Sequence, residues 1–400
     1  MPGKKNKKSS PRSSRKTAER PKKATKKVAR RKVASKRRIV RKPRAQKKKL
    51  RPLDLEKSHK NPIMSPASGS YWESEAVFNP GAVMHGGRVH LFYRALGPDG
   101  ISRVGYASSK DGVHFDIRHP HPVYMPEMKQ DPRSSKHAPY TSPARLAYDR
   151  TLYASGGGWG GCEDPRAVKI DGRVYITFNM FNGWDSIRVG VTSISEEDLE
   201  RGVWRWKGVN YLSSANERQK NWVLFPEKMD GKFAILHSVS PDVKVDYVED
   251  FEDLHVGKKR IISSRAEERS YPHYVWESWI RSASAPPVKT KYGWLLFYHG
   301  MDKNDPNRYK LGVMLLDSND PSKVLYRSTY PILEPDEWYE NDWKPGIIYA
   351  SGALVKGNNL YIYYGGGDKH IGVAYTNLDD FISKLRKKEH ITFSKNKVTV

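Results

Sequence analysis

Residues 161–166 read Gly-Cys-Glu-Asp-Pro-Arg and run directly into Ala167-Val168-Lys169-Ile170, a strand-like stretch. Two carboxylates and a guanidinium, those of Glu163, Asp164 and Arg166, therefore stand at the mouth of a strand, and Pro165 fixes the entry of the chain. A carboxyl group beside a second carboxylate can be tuned into a proton donor, and a guanidinium can hold an anion. The same Asp-Pro pair could instead serve only to start a strand. The elements around it decide between an enzyme and a scaffold.

Those elements repeat. Segments 81–93, 164–178, 225–236, 285–298 and 351–364 each carry a small residue or proline, an apolar pair, a Gly-containing turn and an alternating aromatic and aliphatic run. Each predicts a β-hairpin whose turn uses a residue tolerant of positive φ. The turn glycines are Gly87, Gly172, Gly231, Gly293 and Gly357, with spacings of 85, 59, 62 and 64 residues. A third strand follows in four copies, marked by Gly105, Gly190, Gly312 and Gly372. The third copy lacks this glycine. Such units repeated radially predict an all-β fold, a five-bladed β-propeller, with a β-sandwich as the alternative. The long first spacing reflects an insertion at 117–160, a lid candidate; 254–277 is a second loop candidate.

Of the 400 residues, the first 52 hold 25 Lys or Arg and one acid, a net +24, whereas the rest hold 46 basic and 43 acidic residues, a net +3. Residues 1–52 therefore read as a disordered polycationic arm, and 53–400 as the catalytic propeller domain. The arm has no aromatic residues to stack on bases, so non-specific polyanion or nucleic-acid binding is expected of it. No apolar leader segment or run of 18 apolar residues is present, so no membrane partner is expected. With Cys162 as the only cysteine, a cytoplasmic setting is expected. Cys/His metal-ligand spacing is absent, so neither metal nor cofactor is expected.

From about Asn79 to Leu385 the chain resembles glycoside hydrolase family 130, the inverting β-mannoside phosphorylases and related β-mannosidases. The resemblance rests on Asn79-Pro-Gly-Ala, Phe92-Tyr-Arg-Ala, Ser102-Arg-Val-Gly-Tyr-Ala, Gly161-Cys-Glu-Asp-Pro-Arg, Lys220-Asn-Trp-Val-Leu-Phe-Pro-Glu-Lys, Ala285-Pro-Pro-Val-Lys-Thr, Trp294-Leu-Leu-Phe-Tyr-His-Gly and Tyr363-Tyr-Gly-Gly-Gly-Asp. It implies a five-bladed propeller that cleaves β-mannosides with inorganic phosphate as co-substrate and releases α-mannose 1-phosphate. Asp164 takes the place of the catalytic acid, whose proton reaches the glycosidic oxygen through a mannose hydroxyl. Asn79, Arg94, Glu163 and Asp368 fall on substrate-binding positions. Arg103, Lys220, Asn221 and His299 fall on phosphate-binding positions.

An acid working near neutral pH predicts a raised pKa for Asp164, by burial or by Glu163. One departure from the family stands before Ala285. A phosphate-reaching lysine of the phosphorylases aligns with Ile280, leaving the adjacent Arg281 to replace it. A weakened phosphate site favours the alternative, a phosphate-independent hydrolase, for which Glu227 and Glu277 are candidate bases. Gly367 and Lys369 also differ from the usual family residues. A non-catalytic glycan- or nucleic-acid-binding propeller, and a five-bladed arabinan or fructan glycosidase, complete the alternatives. Trp159, Trp338 and Tyr339 are candidate sugar-stacking aromatics. The oligomeric state is not legible.

Overall fold

A computed structural model describes residues 53–125, 156–158, 160–182, 186–215, 217–262 and 274–388. The arm, Trp159, most of the insertion and part of the second loop lie outside the described residues. Among the described residues there are twenty strands: β1 (Glu56–Lys57), β2 (Ala76–His85), β3 (Arg88–Leu96), β4 (Ile101–Ser109), β5 (Ile117–Arg118), β6 (Gly160–Ile170), β7 (Arg173–Asn182), β8 (Ser186–Ser195), β9 (Asn210–Tyr211), β10 (Val223–Met229), β11 (Lys232–Ser238), β12 (Lys244–Val248), β13 (Trp279–Ala283), β14 (Val288–Thr290), β15 (Gly293–Asp302), β16 (Asp305–Leu316), β17 (Val324–Arg327), β18 (Ile348–Lys356), β19 (Asn359–Gly366) and β20 (His370–Asn377). Helices are short: α1 (Glu196–Glu200), α2 (Glu252–His255) and α3 (Leu378–Lys388). None among the described residues is long and apolar enough to cross a membrane.

The strands pair as five antiparallel meanders: β2–β5, β6–β9, β10–β12, β13–β17 and β18–β20. The first two are joined by a short parallel contact between β4 and β6 at Ile101–Ser102 and Gly160–Gly161. The third has three strands, the weakest copy in sequence. In the fourth, the first strand is split into β13 and β14, both paired with β15, across Ser284, Ala285, Pro286 and Pro287. The two prolines bring no N–H to that stretch of the ladder. In the fifth, the outermost strand comes from the start of the chain: β1 pairs with β20, Glu56 opposite Tyr375.

Strand after strand is apolar on both faces because both are covered. Along β15, Leu295 and Phe297 face the fifth meander, packing with Ile348, Leu360, Ile362 and Tyr364. The alternating Trp294, Leu296 and Tyr298 pack with Val223, Phe225 and Leu236 of the third. Similar clusters join the first meander to the second through Phe92, Ile176 and Phe178. Another joins the second to the third through Val168, Val191, Leu224 and Ile235. Leu91 of the first meets Leu354 and Val373 of the fifth. The arrangement has five small cores between neighbouring meanders, whereas a β-sandwich has one core between two sheets.

The third-strand glycines have a packing cause. A Cβ at Gly105, Gly190, Gly312 or Gly372 would collide with the ring of Tyr93, Phe178, Tyr298 or Tyr364 on the strand beside it. In three meanders the tyrosine hydroxyl then donates to a buried glutamate from the turn before the meander. These bonds are Tyr93 to Glu73 at 2.8 Å, Tyr298 to Glu277 at 2.5 Å and Tyr364 to Glu340 at 2.9 Å. A cation completes each triad: Arg118 on Glu73, Arg327 on Glu277 and Lys57 on Glu340. Glu277 is thereby a structural residue, which removes it as a candidate base. Tyr339 is buried in the same region, its hydroxyl 2.9 Å from that of Tyr364, whereas Trp338 is exposed.

Candidate active site

Asn79 and Asp164 occupy equivalent places in β2 and β6. Each precedes a proline, each has φ of +49°, and each lies at a bulge where the register with the second strand slips. A positive φ is uncommon for residues other than glycine and is best tolerated by Asn and Asp. Six described non-glycine residues have it. Asp171 and Asp230 are in Asp-Gly hairpin turns, and the other four are Asn79, Asp164, Asn221 and Asp368. All four are site candidates from the sequence, and such strain concentrates where side chains must be aimed.

The bulges turn both side chains toward each other. Asn79 Nδ2 donates to Asp164 Oδ1 at 2.8 Å. Arg94, on β3, donates to the same oxygen at 3.3 Å, to Glu163 at 2.9 Å and to Ser102 at 3.0 Å. Lys220, ahead of β10, donates to the other Glu163 oxygen at 3.0 Å. Arg166 turns its guanidinium to the Asp164 carbonyl at 2.7 Å, the Ser284 carbonyl at 3.0 Å and the Tyr349 hydroxyl at 3.1 Å. Glu163, Asp164, Arg94 and Arg166 are all buried. Gly365 is required beside this cluster, because a Cβ there would collide with Asn79 Oδ1. Three residues on, Asp368 pairs with Lys344 at 3.1 Å, and its charge reaches Arg94. Lys369 is engaged elsewhere, on Asp342 at 2.7 Å. Gly367 has φ of +58°, which suits glycine better than the usual family alanine.

The electrostatics differ from the sequence expectation. Burial alone would raise the Asp164 pKa, but Arg94, Arg166 and Lys220, with the Asn79 hydrogen bond, outweigh it and hold the carboxyl below its ordinary value. These groups therefore keep Asp164 ionised. Burial also works against a charged Arg94, yet Glu163, Asp164 and Asp368 raise its pKa. Among the described residues, the cluster thus sets three carboxylates, Glu163, Asp164 and Asp368, against four cations, Arg94, Arg166, Lys220 and Lys344.

The phosphate candidates are distributed unevenly. Lys220 lies in the cluster. Asn221 is fixed beside it by reciprocal bonds with Asn179 at 2.8 and 3.0 Å, and donates to Ser282 at 3.1 Å. Arg281 is exposed, with its guanidinium over the Trp279 ring at 3.9 Å and within the influence of Tyr309, while Ile280 is buried. Arg103 is not brought to the acid: its guanidinium bonds Asp99 at 2.5 and 3.1 Å and the Ile101 carbonyl. His299 is fully buried, and burial followed by the Arg166 charge brings its pKa down to about 3. A neutral imidazole brings no positive charge to phosphate, and His299 sits behind Tyr349, whose ring stacks on it at 4.2 Å. Glu227 pairs with exposed Lys289 at 2.6 Å and belongs to no described part of the acid cluster. Tyr349 and Tyr309 were missed in the sequence, where nothing separates them from packing tyrosines. Among the described residues no group of His, Cys, Asp or Glu is placed to hold a metal ion.

Comparison with known proteins gives this geometry its context. A 1,2-beta-oligomannan phosphorylase of Thermoanaerobacter sp. is 35% identical over 338 residues, 82% of this chain and 99% of that protein. A beta-1,2-mannobiose phosphorylase of the same organism is 34% identical over 334 residues, 80% of this chain and 96% of that one. The solved structure of beta-1,2-mannobiose phosphorylase from Listeria innocua shares the fold, with a TM-score of 0.58 at 20% identity over 83% of this chain and 99% of that one. The family model described as beta-1,4-mannooligosaccharide phosphorylase matches residues 154–387, which include Glu163, Asp164, Arg166, Lys220 and Asp368. With relatives this similar along most of its length, the chain belongs to glycoside hydrolase family 130.

Proposed function

We propose that this protein is an inverting β-mannoside phosphorylase that releases α-mannose 1-phosphate from β-1,2-linked manno-oligosaccharides. The observation that carries this reading is the buried acid cluster, which among the described residues has more cations than carboxylates, each carboxylate already paired. A neutral mannoside leaves that excess positive charge unmatched, whereas phosphate matches it. Hydrolysis would need a carboxylate base, and both candidates are committed elsewhere, Glu277 to Tyr298 and Arg327 and Glu227 to Lys289. The linkage follows the relatives: two that act on β-1,2-linked or oligomannan substrates are 34–35% identical, against 26% for a β-1,4-mannooligosaccharide phosphorylase of Ruminococcus albus. A pure scaffold is disfavoured, because Asn79, Asp164, Asn221 and Asp368, all site candidates, hold a positive φ.

In this reading Asp164 is the catalytic acid, and Asn79, Arg94, Glu163 and Asp368 hold the mannosyl unit. Lys220, Asn221 and Arg281 receive phosphate, and His299 backs the site as a neutral ring behind Tyr349. A phosphate oxygen bonds to C1 as the C1–glycosidic oxygen bond breaks. The leaving oxygen takes its proton from a mannose hydroxyl, which is resupplied by Asp164. Because the protein groups around it hold Asp164 ionised, the acid gains its proton when phosphate charge arrives among the cations. The direct test is β-1,2-mannobiose turnover with and without phosphate. Sugar phosphate should form only with it. Equal release of free mannose in both arms overturns the reading in favour of hydrolysis.

The five meanders are proposed to form the blades of a propeller. Support comes from the five inter-meander cores and from β1 completing the last sheet. The nearly neutral remainder and lone cysteine fit a cytoplasmic setting. We also assign residues 1–52 to non-specific polyanion binding, on the strength of their net +24. Full-length protein should bind duplex DNA with an affinity that falls on the order of a thousandfold between about 50 and 200 mM salt. Protein lacking residues 1–52 should lose that binding and keep its mannoside turnover. Equal DNA retention by both forms overturns the assignment.

A further inference from the structure

One hydroxyl beside the acid has a proton and no recipient. Tyr349, on β18, accepts from Arg166 at 3.1 Å, and its ring is stacked on His299 with an interplanar angle of 18°. His299 Nε2 accepts the Ala350 N–H at 3.1 Å, so its proton is on Nδ1 and the ring is a fixed, neutral platform. Burial, and the Asp164 and Tyr309 charges, push the Tyr349 pKa up to about 12 against the effect of Arg166, so the phenol stays protonated. With its acceptor side facing Arg166, the hydroxyl can still donate, and no acceptor for it stands among the described residues. The residue is half-buried, not sealed, so a ligand can meet it.

The neighbours define what it meets. Tyr309 lies 6.3 Å from both His299 and Tyr349 between ring centroids, and the Arg281 charge reaches Tyr309. Guanidinium groups only donate, and a sugar hydroxyl both donates and accepts. An oxyanion only accepts, which suits a donor-rich wall better. Ile280 offers this wall no charge where family phosphorylases have lysine, so the remaining donors matter more.

We propose that the Tyr349 hydroxyl donates a hydrogen bond to an oxygen of the inorganic phosphate co-substrate, with Arg166 orienting it from one side and His299 from beneath. This rests on the phosphorylase reading above. The test compares full-length wild type, Tyr349→Phe and Tyr349→Ala in β-1,2-mannobiose phosphorolysis over a range of inorganic phosphate, together with the rise in Tm that phosphate causes. Phe keeps the stack on His299 and loses only the hydroxyl. The KM for phosphate should rise roughly tenfold, ~1.4 kcal/mol, in Tyr349→Phe. The KM for mannobiose should stay unchanged, and the phosphate-induced rise in Tm should shrink. A Phe variant equal to wild type toward phosphate, with only Ala impaired, makes Tyr349 a packing residue and overturns the proposal. A fall in kcat with the phosphate KM intact also overturns it. A wild type that turns over without phosphate overturns the phosphorylase reading and this assignment with it; a phosphate-dependent wild type beside an unaltered Phe variant overturns this assignment alone.

Discussion

Asp164→Asn should lower phosphate-dependent cleavage of β-1,2-mannobiose by roughly a thousandfold, ~4 kcal/mol of barrier. The amide keeps the size of the side chain and can still meet Asn79 or Arg94, so the folded structure should survive. What it lacks is a proton to pass to the mannose hydroxyl. It also removes one negative charge from among Arg94, Arg166 and Lys220, which leaves the cluster more cationic. Phosphate should therefore bind the variant at least as well as wild type, and the loss should appear in kcat. Single-turnover sugar-phosphate release and phosphate titration, measured together, separate the two effects. Retained kcat would remove Asp164 from its role.

Glu277→Ala should destabilise the fold by about 3–5 kcal/mol, because it leaves a buried guanidinium without its counter-charge. Arg327 Nη2 lies 3.0 Å from the Glu277 carboxylate, and the Tyr298 hydroxyl donates to that same carboxylate oxygen. Tyr298 is fully buried and its ring packs on Gly312, so neither partner can swing out to water. The denaturation midpoint should fall sharply, while kcat measured on the folded fraction stays near wild type. A large loss of kcat with unchanged stability would restore Glu277 as a candidate base.

Asn79 entered the sequence reading only through the family resemblance, but the repeat carries a second signal for it and Asp164. They are 85 residues apart, the same offset as the turn glycines Gly87 and Gly172. The repeat thus fixes them as equivalent residues of adjacent units before any coordinates are known. The strands were legible because both faces are buried and the runs are correspondingly apolar. The Asp164 pKa was not, since its direction depends on Arg94 and Lys220, which arrive from other units. The triads were hidden too. A glutamate in a polar turn looks solvated, and only the recurrence of Trp72-Glu73 and Trp276-Glu277 ahead of a hairpin hinted otherwise. His299 looked like a cationic ligand by type, and the burial that keeps its imidazole neutral was not legible.

The pairing of β1 with β20 links the two ends of the domain in time as well as space. During synthesis Glu56 and Lys57 emerge early and have no strand partner until Tyr375 and Ala374 follow. Lys57 is also the cation awaited by Glu340. Maturation of the last sheet is thus a late event, in which long-range contacts form at a high entropic cost. A ribosome stalled before residue 370 would leave the early segment unzipped and open to proteases.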